Sequence, residues 1–333
     1  MNTINQLITD IKGSKIAPIY FLMGEESYYI DILSDYIESH VLAEEEKGFN
    51  QMVLYGKDVS IQDVVSNAKR YPMMAERQVI IIKEAQNLSK TIEQLVDYAK
   101  NPQPSTVLVF NYKYKTLDKR KALYKNLSKS SVVFESKKIY DDKISSWIQS
   151  FLSAKQLTIT PKACLILSEF LGNDLSKIAN ELHKLALVVG PQNEVTPDII
   201  EENIGISKDY NNFELQKAIG HLDHKKAYQI VNYFAQNSKQ HPFVLTISIL
   251  YMYFSKLMKL HTVRDKTSGA VAKALGVNPY FVNEYITVSR NFPMKRISGI
   301  LETLRIYDTK SKGVGANLSP RDLYNELIYN ILK

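Results

Sequence analysis

The chain has 333 residues, 45% of them hydrophobic and 23% charged, a formal net charge of +7 and a single cysteine. That length suits two or three domains and that composition an ordinary soluble globular chain. One cysteine, Cys164, excludes a disulfide framework and a cysteine zinc cluster, and it fits a reducing cytosol. The charge is uneven: residues 208–333 carry 18 Lys/Arg against nine Asp/Glu, whereas residues 1–207 carry 24 against 26. Such a basic C-terminal third suits a polyanion, most simply nucleic acid. Scattered lysines that only solvate a helical surface would give the same balance.

Met1–Gln6 has no basic patch ahead of an apolar run, so it does not read as a signal peptide. Ile4, Leu7, Ile8 and Ile11 instead have helical spacing. Residues 17–23 form a short apolar strand bounded by Gly24. Ser27–Leu42 is helical through Ile30, Leu33 and Ile37. Phe49–Tyr55 is strand-like, with Met52 and Leu54 apolar on one face. Ser60 is a good N-cap for a helix ending near Arg70. Arg77–Lys83 is a strand with four consecutive β-branched residues. A helix over Thr91–Lys100, a buried strand over Thr106–Phe110, a basic helix over Leu117–Leu127 and a last strand over Ser131–Phe134 follow. Strands separated by helix-length segments predict a parallel, helix-flanked sheet.

From about Asp141 the strand signal stops. Helices are expected over Ile144–Leu152, Pro161–Leu171 and Leu175–Val189. Pro161 suits a first helical turn, and Gly172 and Gly190 suit helix ends. Thr196 caps a further short helix with Pro197 at its first position. Beyond Tyr210 the chain reads as helices over 212–220, 224–237, 242–262, 268–275, 279–290, 294–308 and 320–332, with a loop over 311–319. The most apolar window, Phe243–Phe254, falls short of the roughly 20 residues that span a bilayer, so no membrane partner is expected.

Pro72-Met73-Met74-Ala75-Glu76-Arg77-Gln78 stands out, because turns normally face water and this one is apolar just ahead of a buried strand. An exposed Met pair adapts well to a partner's pocket, so a protein-docking knob is one reading. Two Met side chains folded back into the core is the other. Catalytic patterns are thin. The first strand runs into Gly24-Glu25-Glu26-Ser27 with no second glycine and no lysine, unlike a P-loop. Its two carboxylates cap the helix dipole themselves and would repel a nucleotide. Lys83-Glu84 follows the Val79–Ile82 strand where an acidic Mg²⁺-holding pair would be expected. His221 and His224 alone make a weak metal site, and Cys164 sits among apolar helix residues as a core group. No catalytic residue, metal or cofactor is expected.

These pieces together resemble the delta-subunit family of the bacterial DNA polymerase III clamp loader, over essentially the whole chain. Pro18–Glu26 looks like the family's opening strand and Gly-Glu-Glu turn. Met73–Gln78 lies at the place of its clamp-binding turn. Leu117–Lys121 with Tyr124-Lys125 resembles a helix after the fourth strand. Gly172-Asn173-Asp174-Leu175, then Glu181–Ala186, resembles the middle-domain signature. Phe213–Leu215, Ala272–Val277 and Leu304–Lys312 resemble C-terminal pieces.

The resemblance implies an α/β AAA+-like domain lacking a P-loop over 1–141, a small helical lid over 142–207 and a helical collar over 208–333. It implies a cytoplasmic clamp-loader component that binds the sliding clamp, the polymerase beta subunit, and helps open it for loading onto primed DNA. The collar would join gamma/tau and delta-prime type subunits in a heteropentamer. Pro72, Met73, Met74 and Arg77 would bind the clamp. The family usually places Leu-Phe or Phe-Phe where Met73 and Met74 stand, so a weaker affinity or a differently shaped pocket is implied. Arg77 would hold the turn or meet the clamp. In the assembled loader, pairs such as Lys225-Lys226 and Lys295-Arg296 are candidates for phosphate contact. An active AAA+ ATPase and a free-standing DNA-binding protein are the competing readings. The helical stripe Leu250, Tyr251, Phe254, Leu257 and Met258 reads as intradomain core rather than subunit contact.

Overall fold

The computed structural model describes residues 4–315 and 317–333, with the side chains of Asp141 and Asp142 left out. Met1–Thr3, at the start of the stretch read against a signal peptide, and Ala316, within the expected loop, lie outside the described residues. The chain divides into two compact units, Met1–Ile139 and Tyr140–Lys333.

In the first unit the order is α1 (Ile4–Lys12), β1 (Ile19–Gly24), α2 (Ser27–His40), α3 (Glu44–Asn50), β2 (Gln51–Tyr55), α4 (Ile61–Ala68), β3 (Gln78–Lys83), α5 (Val96–Lys100), β4 (Thr106–Lys113), α6 (Ala122–Ser130) and β5 (Val132–Ser136). The strands lie in the order β2-β3-β4-β1-β5 and all pair in parallel. A parallel strand covered on both faces reads as a continuous apolar run, which is what IYFLM, VIII and TVLVF are. Alternation then sorts the residues. Ile19, Phe21, Ile80, Ile82, Leu108 and Phe110 pack with Val64 of α4, Leu123 of α6 and their neighbours. Tyr20, Leu22, Val79, Ile81, Val107 and Val109 pack with Leu7 of α1 and with Ile30 and Leu33 of α2.

Three expected elements are redrawn. Phe49 ends a helix rather than opening a strand: three glutamates fill the first turn of α3, where they suit its dipole, and Glu46 accepts from the Ala43 amide at 3.1 Å. The basic helix begins at Ala122, because Asp118 instead takes the Arg120 amide at 3.0 Å and its guanidinium at 3.0 and 2.8 Å, a local turn that competes with helix. The first half of the expected Thr91–Lys100 helix is a 3₁₀ turn, Ile92–Leu95, leading into α5.

The second unit runs α7 (Asp141–Ser153), β6 (Thr158–Ile159), α8 (Pro161–Leu171), α9 (Leu175–Val189), β7 (Glu194–Val195), α10 (Pro197–Ile204), α11 (Asn212–Gly220), α12 (His224–Gln236), α13 (Phe243–Thr262), α14 (Ser268–Leu275), α15 (Val282–Ser289), α16 (Met294–Ser311) and α17 (Pro320–Leu332). Strand structure does not stop at Asp141, since β6 and β7 form a two-residue parallel ladder. Helix starts are set by side chains that take the orphan amides: Thr160 accepts from Ala163, Asp174 from Lys177 and Thr196 from Ile199. Helix α13 has 20 residues and by length and composition could cross a membrane, so the shorter apolar window understates it. It is nonetheless a core helix. Ile247, Leu250, Phe254 and Leu257 pack with Ile297, Ile300 and Leu304 of α16.

Glu169 on α8 lies among Gln216 of α11 and Lys256 of α13. Burial pushes its carboxyl up to about 8, against the Lys256 charge and the Gln216 hydrogen bond. Burial likewise pushes the Lys256 ammonium down. With its folded-state pKa raised, Glu169 keeps a proton that the unfolded chain releases from about pH 4.5 upward. Its contribution is therefore complete below pH 4.5 and is lost as pH rises towards about 8. We expect urea midpoints to fall over that interval, and Glu169→Gln to flatten the fall by up to about 5 kcal/mol. A variant with the wild-type pH slope would show that Glu169 does not govern it.

Candidate docking site at the amino end of the sheet

The carboxyl end of a parallel sheet is where nucleotide-binding folds place their ligand. Here that end is filled by the chain itself. The Gly24 amide donates to Lys115 O and the Glu25 amide to Ser136 O, both at 3.0 Å, and the Gly24 carbonyl accepts from Tyr114 at 2.8 Å. Gly24 has φ +126°, and a Cβ on it would meet Ser136 O at 1.9 Å, so only glycine fits. The Glu26 carboxylate caps α2 by accepting from the Tyr28 amide at 3.2 Å, at the spot a phosphate would occupy. Beyond it Lys113 bridges Asp31 at 2.9 Å and Glu84 at 3.0 Å, and Lys83 pairs with Glu38 at 3.0 Å. Burial would lower the Lys113 ammonium, but these carboxylates outweigh it and hold its pKa above the usual value.

The amino end is different. Helix α4 stops at Ala68, whose carbonyl is satisfied by side chains of β4 and α5. Thr106 and Tyr98 donate to Ala68 O at 2.8 and 3.3 Å, and Gln78 donates to Arg70 O at 2.6 Å. The segment 71–77 is thus strung between two fixed ends. Its middle is clasped by Asn50, a buried residue at the end of α3. The Asn50 side-chain oxygen accepts from the Met73 amide at 2.7 Å, and its nitrogen donates to the Met73 carbonyl at 2.9 Å. This two-point bond imitates a strand partner and holds the turn on the sheet. Met74 follows with φ +54°, a left-handed conformation uncommon for a side chain of its size.

The side chains therefore point away. Met73 is 63% exposed and Met74 fully so, which rules out the reading that folds both into the core. Tyr71 and Phe49, on either side of the clasp, are 79% and 77% exposed. Pro72 is half-buried. Arg77 is half-buried too, and its charge acts on the Tyr20 hydroxyl, which accepts from the Ala17 amide at 3.1 Å. Sequence reasoning singled out Pro72, Met73, Met74 and Arg77 but missed Asn50 and Phe49. An asparagine ahead of a strand carries no mark of a clasp 23 residues away, and the strand reading of Phe49 hid its exposure.

Elsewhere the candidates are structural. Cys164 is buried, its thiol pushed up by burial and donating to Ser145 O at 3.5 Å. His241 stacks on Phe234 and His183 meets Phe151 edge-on. Among the described residues no three His, Cys, Asp or Glu side chains gather as a metal-ligand set. Arg296, offered above for phosphate contact, lies on the Phe292 ring at 4.7 Å and donates to the Asn291, Ile331 and Leu332 carbonyls. Lys226 lies over the Tyr210 ring at 4.7 Å.

Residues 20–137 match the family described as DNA polymerase III, delta subunit, and residues 209–319 match its C-terminal domain. Together the matches span well over half of the chain. DNA polymerase III subunit delta of Bacillus subtilis is 25% identical over 313 residues, covering 91% of this chain and 90% of that protein. The solved structure of the Bacillus subtilis DNA clamp loader delta protein covers 99% of both chains at 23% identity with a TM-score of 0.54, a likeness of fold.

Asn50→Ala removes both ends of the clasp. We expect a loss of about 1–3 kcal/mol in urea unfolding and faster hydrogen exchange at the Met73 amide. Unchanged exchange at that amide would show that the turn holds itself.

Proposed function

Because the chain belongs to the DNA polymerase III delta-subunit family, we propose that it is the clamp-loader component that docks on the sliding clamp through Met73 and Met74. The observation that carries this reading is the exposed methionine pair on a turn clasped by Asn50. Burying two Met side chains stabilises a complex by roughly 3–6 kcal/mol before ordering terms. The clasp lowers those terms, because the backbone is ordered before binding. Pro72 sets the turn's entry, Arg77 supports it from below, and Phe49 and Tyr71 widen the apolar surface.

A docked wedge opens a ring only if it binds the open form better than the closed one. A rigid turn on a sheet end serves that purpose better than a mobile loop, because it transmits the geometry of its own domain. We read 1–141 as the AAA+-like domain, 142–207 as the lid and 208–333 as the collar, in a cytoplasmic loader with gamma/tau and delta-prime type sisters acting on primed DNA. ATP chemistry falls to the sisters. Its absence from this chain's role is supported by the committed amides of Gly24 and Glu25 and by the Glu26 carboxylate in the phosphate position, which count against an ATPase.

Surface-plasmon binding to the same organism's sliding clamp tests the contact. Met73→Ala/Met74→Ala is expected to weaken binding at least tenfold, about 1.4 kcal/mol. Equal binding by wild type and variant would move the contact elsewhere, and no binding by wild type would remove the clamp role.

A further inference from the structure

The densest positive charge is not in the C-terminal third. Residues 1–112 carry 10 Lys/Arg against 15 Asp/Glu, whereas residues 113–138 carry nine against two. Helix α6 contains no acidic residue. Lys121 caps its start and accepts a backbone bond from Lys125, so Lys121, Lys125 and Lys129 follow one another at successive turns. All three are exposed, while Leu123 and Leu127 bury the other side. The Lys119–Glu135 pair, at 2.8 Å, ties the start of this stripe to the end of β5, where Lys137 and Lys138 are exposed.

Some of these charges are compensated: Arg120 pairs with Asp118 at 2.8 Å and Lys121 with Glu93 at 3.6 Å. Among the described residues no carboxylate pairs with Lys125, Lys129, Lys137 or Lys138. Like charges one turn apart destabilise a helix, and among the described residues only Lys121 of this row has a carboxylate, Glu93, to offset it. From Lys121 to Lys129 the stripe runs about 12 Å. It is a line rather than a pocket, which suits a row of phosphates and not one phosphoryl group. The residues between the lysines, Ala122, Ser128 and Ser130, are small and exposed. They offer none of the buried apolar centre a protein interface needs. Tyr124, half-buried with Lys119 over its ring at 6.0 Å, and the exposed Tyr114 add aromatic faces.

We infer that the α6 stripe of Lys121, Lys125 and Lys129, extended by Lys137 and Lys138, is a track for the phosphate backbone of nucleic acid, held without sequence readout. Taking DNA as the occupant agrees with the proposed function, but the stripe is independent of the methionine contact. The test is fluorescence anisotropy of the full chain with a labelled primed duplex across a salt series. Lys121→Ala/Lys125→Ala/Lys129→Ala is compared with Lys12→Ala/Lys15→Ala/Lys57→Ala, an equal loss of exposed charge elsewhere on the same unit.

The stripe variant is expected to bind at least tenfold more weakly at low salt. The slope of log K against log salt should shrink by about 0.9 for each phosphate that is no longer neutralised. The control variant should keep the wild-type slope. The stripe variant's thermal midpoint should hold or rise, because repulsion is removed, whereas a structural role would lower it. Wild-type affinity and slope in the stripe variant overturn the inference, as does absence of binding by wild type at low salt. Lost clamp binding with retained DNA binding would overturn it too, by assigning the stripe to a protein. Clamp binding is expected to be unchanged, so this test and that of Met73 and Met74 fail separately.

Discussion

Every strand of the sheet runs the same way, and that constraint gives the first unit two unlike ends. Its faces are spent on α1 and α2 on one side and on α4 to α6 on the other. Only the strand ends remain for chemistry. In a parallel sheet the carboxyl end is the one that ordinarily receives a ligand. This chain closes that end with its own carbonyls, a glutamate cap and a lattice of lysine–carboxylate pairs. The closure is steric in origin, since Gly24 brings the backbone of β1 so near Ser136 that no side chain fits between them.

With the carboxyl end closed, the exposed apolar residues of the 71–77 turn stand at the amino end. The turn there is apolar, exposed and yet ordered, three properties that seldom coincide, because an exposed apolar loop gains nothing from folding. Here the order comes from polar groups behind it: Asn50 on the Met73 backbone, and Gln78, Thr106 and Tyr98 on the end of α4. Met74 sits in a left-handed conformation that the clasp maintains, and local strain held by surrounding structure is a feature of binding sites. Methionine is the most adaptable side chain available for such a turn, so a stiff backbone and soft tips are combined in one place.

The second unit spends its polar groups differently. Asp, Thr and Asn side chains start its helices. Glu169 and Lys256 place titratable groups between α8 and α13, beside the Gln216 amide of α11. Desolvation governs this cluster, so the region between α8 and α13 is coupled to proton activity. The exposed lysines of α6 in the first unit remain wet, which leaves them free for an anionic partner.

Periodicity and end signals determined most of the architecture. The apolar runs that became β1, β3 and β4, the proline and threonine starts of α8 and α10, and the glycine ends of α8 and α9 are local features. Local features are legible because neighbouring residues create them. The lost P-loop was legible for the same reason, being a short motif that is simply not spelled. What only the tertiary structure decided is non-local or competitive. Whether Met73 and Met74 face water depends on Asn50, which lies on another helix. Helix α6 starts late because Asp118 found Arg120 first. The same lysines that looked unremarkable in a whole-chain balance become a stripe because helical geometry puts every fourth residue on one side.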